Sequence, residues 1–67
     1  MIELNENMEG RKYRIKLIDG HEVVGECVHY IPDKDNIPEI DSVWIENSEG
    51  ETEEIFLTDI KALFRIV

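Results

Sequence analysis

Tyr13-Arg14-Ile15-Lys16-Leu17 alternates apolar and basic side chains with a period of two, and it is the first clear secondary-structure signal in the chain. The alternation predicts a half-buried strand, with the apolar side chains toward a core and the basic ones toward water. Asp19-Gly20 follows, and this dipeptide is a strong signal for a type I′ hairpin turn, because both residues tolerate positive φ. The sequence therefore predicts a β-hairpin here.

The return strand of this hairpin is predicted over residues 21–30. Gly25 lies in its middle, and a glycine inside a long strand is typical of a bulge or a sharp bend where two backbones approach closely. A bent strand can contribute to both sheets of a small barrel, so apolar residues are expected on both of its faces. Strict alternation places Val23, Cys27 and His29 on one face, and Val24, Val28 and Tyr30 on the other.

The rest of the chain supplies three more strands. Residues 31–39 contain two prolines and predict a loop, and Ser42–Glu46 predicts the third strand. A turn at 47–51 leads to a fourth strand over 52–57. One helical turn follows at 58–60, with Thr58 as its cap, and 61–67 forms the fifth strand. The chain is thus predicted to be mainly β: one domain over 1–67, with a small, strongly bent five-stranded barrel of the SH3 type over 11–67.

The N-terminal segment, residues 1–10, has two open interpretations. Ile2, Leu4 and Met8 could form an apolar stripe on a short helix that ends at Gly10. A frayed terminus is the alternative.

The charge is concentrated in one block. The net charge is −9. Residues 31–54 hold nine acidic side chains and one lysine, so their net charge is −8. All other residues together have a net charge of −1. A solvated acidic face that keeps a small protein from aggregating explains this block in the simplest way. The sharper interpretation is a surface that mimics nucleic acid or docks on a basic partner.

Composition also suggests where the protein works. Cys27 is the single cysteine, so no internal disulfide can form, and a domain of this size is then expected in the reducing cytoplasm. No signal peptide is recognised, and no apolar stretch reaches the about 18 residues of a membrane span. A membrane partner is therefore not expected.

Catalytic and metal chemistry find little support in the sequence. His21, Cys27 and His29 are three candidate metal ligands, whereas a structural zinc site takes four. Ser42 and Ser48 lie in acidic, turn-like surroundings without a neighbouring histidine. No enzyme activity and no cofactor are expected, and Cys27 is interpreted as a small core residue.

Two surfaces are candidates for binding. An apolar surplus that a barrel of this size cannot bury, together with the acidic block, predicts a protein interface. Its residues are Trp44, Phe56, Phe64, Ile66, Glu49, Glu51, Glu53 and Glu54. The alternative is a nucleic-acid-binding stripe formed by Arg11, Lys12, Arg14 and Lys16, although the solvent-exposed face of a strand is the simpler explanation of these residues.

Residues 10–25 and 55–63 resemble the Sm-like (LSm/Hfq-type) family of small barrels. The first stretch is similar to the family's helix-ending glycine, alternating strand, Asp-Gly turn and bent strand, and the second to its last two strands. The family's RNA-binding loops are altered here, at residues 30–36 and at Leu57-Thr58-Asp59. The resemblance therefore implies a divergent member without the RNA-binding motifs. It also implies homo-oligomers in which the fourth strand of one subunit pairs with the fifth of the next.

Overall fold

The computed structural model describes all 67 residues, and its main element is one five-stranded antiparallel sheet. The strands are β1 (Lys12–Leu17), β2 (Glu22–Ile31), β3 (Ser42–Glu46), β4 (Thr52–Phe56) and β5 (Ile60–Ile66). They lie in the order β4-β3-β2-β1-β5. Three short 3₁₀ turns complete the chain, at Glu6–Met8, Asp33–Asp35 and Leu57–Asp59. The prediction of a mainly β chain with a small, barrel-like five-stranded fold is confirmed.

The core lies on one face of this sheet, as the alternation in β1 predicts. Tyr13 and Ile15 are buried, whereas Lys12, Arg14 and Lys16 are exposed. The buried apolar residues are Leu4, Met8, Tyr13, Ile15, Cys27, Val43, Ile45, Ile55 and Ile60. The period of two therefore assigns the faces of β1 correctly.

The turn between β1 and β2 is a hairpin turn, but its predicted type is wrong. Gly20 has a φ of +96°, whereas no residue other than glycine has a positive φ, so Asp19 cannot occupy a type I′ turn. The Gly20 N–H donates to the Leu17 carbonyl (3.0 Å), and the Leu17 N–H donates to the His21 carbonyl (2.8 Å). These bonds enclose a three-residue loop with glycine in the left-handed position. The β3–β4 turn repeats this arrangement with Gly50.

The irregularity in β2 lies at Val28 rather than at Gly25. Cys27 pairs with Ile45 and His29 pairs with the adjacent residue Trp44. Val28 therefore has no partner in β3 and forms a β-bulge. The extra residue reverses the alternation beyond it. Tyr30 therefore packs against the core and His29 is exposed. The strict-alternation prediction for these two side chains is wrong for that reason.

Gly25 lies where the backbones of β2 and β3 approach closely, as the sequence predicts for a glycine inside a long strand. A Cβ atom built on Gly25 would lie 2.8 Å from the Glu46 carbonyl carbon and 2.9 Å from Ile45 Cγ2. Real Cβ atoms are essentially never found at such distances. Glycine at this position allows β2 and β3 to cross tightly.

The N-terminal segment is ordered and forms part of the core. Leu4 and Met8 are buried in the core cluster. The Asn5 side chain accepts a hydrogen bond from the Asn7 N–H (2.9 Å), which caps the first 3₁₀ turn, and the Gly10 N–H donates to the Cys27 carbonyl (2.8 Å). Of the two interpretations, the packed segment is correct, although its helix is a single 3₁₀ turn.

The connection between β4 and β5 begins one residue earlier than predicted. The 3₁₀ turn spans Leu57–Asp59, Phe56 occupies its cap position, and no side chain caps it. The prediction of Thr58 as a capping residue is wrong, because Thr58 lies within the turn.

Candidate functional site

The two edge strands of the sheet differ in charge. β4 and β5 each pair with one neighbour only, so the other side of each strand has no backbone partner. β4 contains Glu53 and Glu54 and no basic residue, whereas β5 contains Lys61 and Arg65 and no acidic one. Unpaired strand edges are templates for pairing with another chain. The fold thus has two such edges, of opposite charge.

The outer face of the sheet beside the β4 edge is aromatic and acidic. Trp44 lies opposite His29 on one side and Glu54 on the other, and Phe56 lies opposite Ser42. Residues opposite each other share a face, and the intervening row of Val43 and Ile55 points into the core. Trp44, Glu54 and Phe56 therefore point outward, and all three are half-buried.

A buried hydroxyl relay holds the carboxylate of Glu54. The Asn36 amide donates to Ser42 Oγ (2.9 Å) and to the Ile40 carbonyl (2.7 Å), and Ser42 Oγ donates to Glu54 Oε2 (2.8 Å). Ser42 is fully buried although it lies on the outer face, because the loop containing Asn36 packs over it. The relay links that loop to the free β4 edge and fixes one carboxylate oxygen of Glu54.

The sequence alone predicts no functional role for Ser42 or Asn36. One signal was present: Ser42 begins a strand whose next three residues are apolar, so its hydroxyl needed a partner. That partner could not be identified without the position of the loop.

The four predicted acidic interface residues occupy three different places. Glu49 and Glu51 are exposed in the β3–β4 turn, where Asn47 Oδ1 accepts both of their N–H groups at 2.9 and 3.0 Å. Glu53 and Glu54 lie on opposite faces of β4, because Glu53 pairs with core residue Ile45. The acidic block therefore surrounds the β4 edge rather than forming one flat face.

The other two predicted interface side chains lie at the opposite edge of the sheet. Phe64 and Ile66 of β5 are 45% and 41% exposed. The Arg14 guanidinium lies 5.2 Å from the centre of the Phe64 ring. The four apolar interface candidates are therefore divided between the β4 and β5 edges.

The basic stripe is exposed, but acidic side chains line it. Arg11, Lys12, Arg14 and Lys16 are all exposed. On the neighbouring strand β2, Glu26 lies opposite Lys12 and Glu22 opposite Lys16. Arg14 Nε lies 3.9 Å from a Glu22 carboxylate oxygen. The positive charge of this face is therefore largely compensated within the same face.

The three candidate metal ligands are dispersed. The His21 N–H donates to Asp19 Oδ1 (2.9 Å), and His21 Nδ1 lies 2.9 Å from Asp19 Oδ2. The backbone bond and then the side-chain bond lower the pKa of Asp19, and the side-chain bond raises the pKa of His21. Cys27 is fully buried, and burial raises the pKa of its thiol to about 11. His29 lies on the outer face beside Trp44. No three His, Cys, Asp or Glu side chains are arranged to hold a metal ion.

No helix in the structure has the length and apolar character needed to cross a membrane. Comparison with protein-family models, with curated proteins and with solved structures found no match to this chain.

Proposed function

We propose that the protein is a non-catalytic protein-interaction module that docks on a basic partner through the β4 edge and the adjacent β3–β4 turn. The observation that supports this most directly is the β4 edge itself. It has an unpaired backbone, it contains acidic side chains without a single basic one, and Trp44 and Phe56 lie beside it. Backbone pairing would supply affinity, and the side chains would supply specificity.

The charge distribution favours a basic partner, including a protein whose basic surface binds nucleic acid. Nearly all of the excess negative charge lies in residues 31–54, which include the β3–β4 turn and most of β4. Complementary potentials accelerate association and exclude partners of the same sign. The buried, unpaired Cys27 fits a protein of the reducing cytoplasm.

Self-association is a second candidate, favoured by the opposite charges of the two edges. The acidic β4 edge of one copy would pair with the β5 edge of the next, which contains Lys61 and Arg65. This arrangement would cover Phe64 and Ile66, and it is the one that the resemblance to the Sm-like family implies. Light scattering at high protein concentration tests it, and a monomer under those conditions would contradict it.

Nucleic-acid binding by the basic stripe is the alternative, and it is disfavoured. Phosphate contacts supply most of the affinity for nucleic acid. Glu22 and Glu26 lie opposite the lysines of the stripe and would repel phosphates. Tyr13, the aromatic residue within the stripe, is buried and therefore unavailable for stacking on bases.

Two charge variants distinguish these proposals in an affinity capture from lysate, with and without nuclease. The acidic variant replaces Glu49, Glu51, Glu53 and Glu54 by glutamine, and the basic variant replaces Lys12, Arg14 and Lys16 by glutamine. We expect a basic protein to remain bound after nuclease and to be lost only with the acidic variant. Recovery of nucleic acid that is lost only with the basic variant would contradict the proposal.

A further inference from the structure

We propose that Glu54, Trp44 and Phe56 form an anchor site for an arginine side chain. The arginine belongs to an extended partner segment that pairs with the free edge of β4. This inference rests on the proposed function, because it specifies the residues by which a basic partner is recognised. We call these three residues the arginine anchor.

The carboxylate of Glu54 is oriented and has no cation of its own. Ser42 donates its only hydroxyl proton to Oε2, and Asn36 holds Ser42 in place from the other side. The ion pairs of the protein are Arg14 with Glu22 and His21 with Asp19, so Glu54 takes part in none. A half-buried carboxylate interacts more strongly with a cation than a fully exposed one does, since water screens it less.

The aromatic neighbours favour a guanidinium over an ammonium group. Trp44 lies directly opposite Glu54 on the same face, and Phe56 lies two residues along β4 from Glu54. A guanidinium is planar, stacks on aromatic rings and can still donate hydrogen bonds to a carboxylate within its own plane. A lysine ammonium is compact and strongly hydrated, so it gains less from the same surroundings.

The free edge determines how the arginine arrives. A strand added to β4 would place alternate side chains on the outer face, and one of them would lie opposite Glu54. Cβ atoms of opposite residues are about 5 Å apart, which is well within the reach of an arginine side chain. The partner is therefore an extended segment with an outward arginine at that register position.

A second copy of this chain does not supply that arginine. On β5, Arg65 lies opposite the buried Tyr13 and so belongs to the core face, whereas Phe64 and Ile66 belong to the outer face. Pairing of β5 with β4 would keep these faces, so Arg65 would lie on the core face, away from Glu54. The arginine anchor thus specifies a partner other than a second copy.

Trp44 is the only tryptophan of the chain, so its fluorescence reports on the anchor. The probe is a peptide of about ten residues in which arginine and threonine alternate. Matched peptides contain lysine or the neutral citrulline in place of arginine. Glu54→Gln removes the charge but retains an oxygen that accepts from Ser42. Glu3→Gln removes the same charge from an exposed residue that belongs to neither β4 nor the β3–β4 turn, and it is the control. Circular dichroism checks that both variants are folded.

We expect the arginine peptide to change the Trp44 emission and to bind more tightly than the lysine peptide. Glu54→Gln should weaken its binding about tenfold, and Glu3→Gln by less than about twofold. Equal losses in the two variants, or equal affinities for the arginine and lysine peptides, would overturn the anchor and leave docking through overall charge intact. If isothermal titration calorimetry detects no binding of any basic peptide to the wild-type protein, the proposed function fails together with the anchor.

Discussion

Replacement of Gly25 by alanine should destabilise the protein at the close approach of β2 to β3. The added Cβ would lie 2.8 Å from the Glu46 carbonyl carbon and 2.9 Å from Ile45 Cγ2, and it would also meet the Glu46 carbonyl oxygen. Two of these three atoms belong to the backbone of the paired strand β3, which cannot move without breaking its ladder with β2. The φ of Gly25 lies outside the left-handed region, so the cost arises from the clash alone.

The magnitude follows from the balance of two effects. Overpacking of a tight site typically costs about 1–3 kcal/mol. Alanine restricts the unfolded chain more than glycine does, and this effect raises the free energy of unfolding by about 0.4–1 kcal/mol. We therefore expect the free energy of unfolding to fall by about 1–2 kcal/mol, against a total of only about 3–5 kcal/mol for a core of this size. The melting temperature should fall by about 4–8 °C for each kcal/mol.

Urea unfolding followed by Trp44 fluorescence measures this change, since Trp44 is half-buried on β3, the strand that the clash displaces. Val24→Ala is the control: it alters the adjacent residue of β2, whose side chain is 48% exposed, and should cost less than about 1 kcal/mol. If Gly25→Ala unfolds at the same urea concentration as the wild type, the two strands can separate without loss of stability, and the close approach at Gly25 does not contribute to the free energy of unfolding.

Three further predictions concern the core and the first hairpin turn. Leu4→Ala should lower the free energy of unfolding by about 2–4 kcal/mol in the same urea titration, because Leu4 is only 5% exposed. The exposed Glu3→Ala is the control, and an equal effect in the two variants would contradict this prediction. The thiol of Cys27 should react with iodoacetamide much more slowly in the native protein than in urea, since it is buried and its pKa is raised to about 11; equal rates would show that the thiol is accessible. Asp19→Asn should shift the pKa of His21 down toward 6.5 in an NMR titration, because the hydrogen bond to the carboxylate raises it. The same variant should lose the stabilisation that protonated His21 provides, which is complete below pH 6.5 and disappears as pH rises through the pKa of the folded state. A His21 pKa unchanged by the substitution would exclude this pairing in solution.

The local pattern of the chain determined much of the fold. The alternation in residues 13–17 assigned both faces of β1 correctly, because the side-chain period of a strand is two whatever its neighbours are. The Asp19-Gly20 signal located the hairpin. It gave the wrong turn type, because a three-residue loop with one left-handed glycine satisfies the same dipeptide as a two-residue turn does. Local signals thus located the elements better than they determined the backbone geometry of the turn.

The bulge at Val28 could not be predicted in the same way. An extra residue in β2 is defined only by its pairing with β3, which is distant in sequence. One residue of slip reverses every side chain that follows, so Tyr30 was assigned to the wrong face. Gly25, the visible signal in this strand, marked a close contact and not the bulge.

The candidate site was predictable only in part, because some of its side chains follow local alternation and others depend on contacts distant in sequence. Trp44 and Phe56 belong to the apolar surplus that the sequence predicts to remain outside the core, and both point outward because their neighbours Val43, Ile45 and Ile55 are core residues. The relay from Asn36 through Ser42 to Glu54 was not predictable, because it depends on a loop that packs against a strand after it in sequence. Charge alone did not distinguish Glu54 from Glu49, although only the first is oriented by a buried donor.

The two proposed uses of the β4 edge exclude each other, since one strand edge can pair with only one strand at a time. A copy of this chain whose β4 is paired with β5 of another copy has no free backbone for a partner segment. Self-association should therefore weaken binding of the arginine peptide as the protein concentration rises, whereas a monomeric module should bind it with a constant affinity. Glu54→Gln should weaken peptide binding far more than self-association, because pairing with β5 leaves Arg65 on the core face, away from the Glu54 carboxylate. If the peptide binds undiminished to the assembled form, its site lies away from the β4 edge.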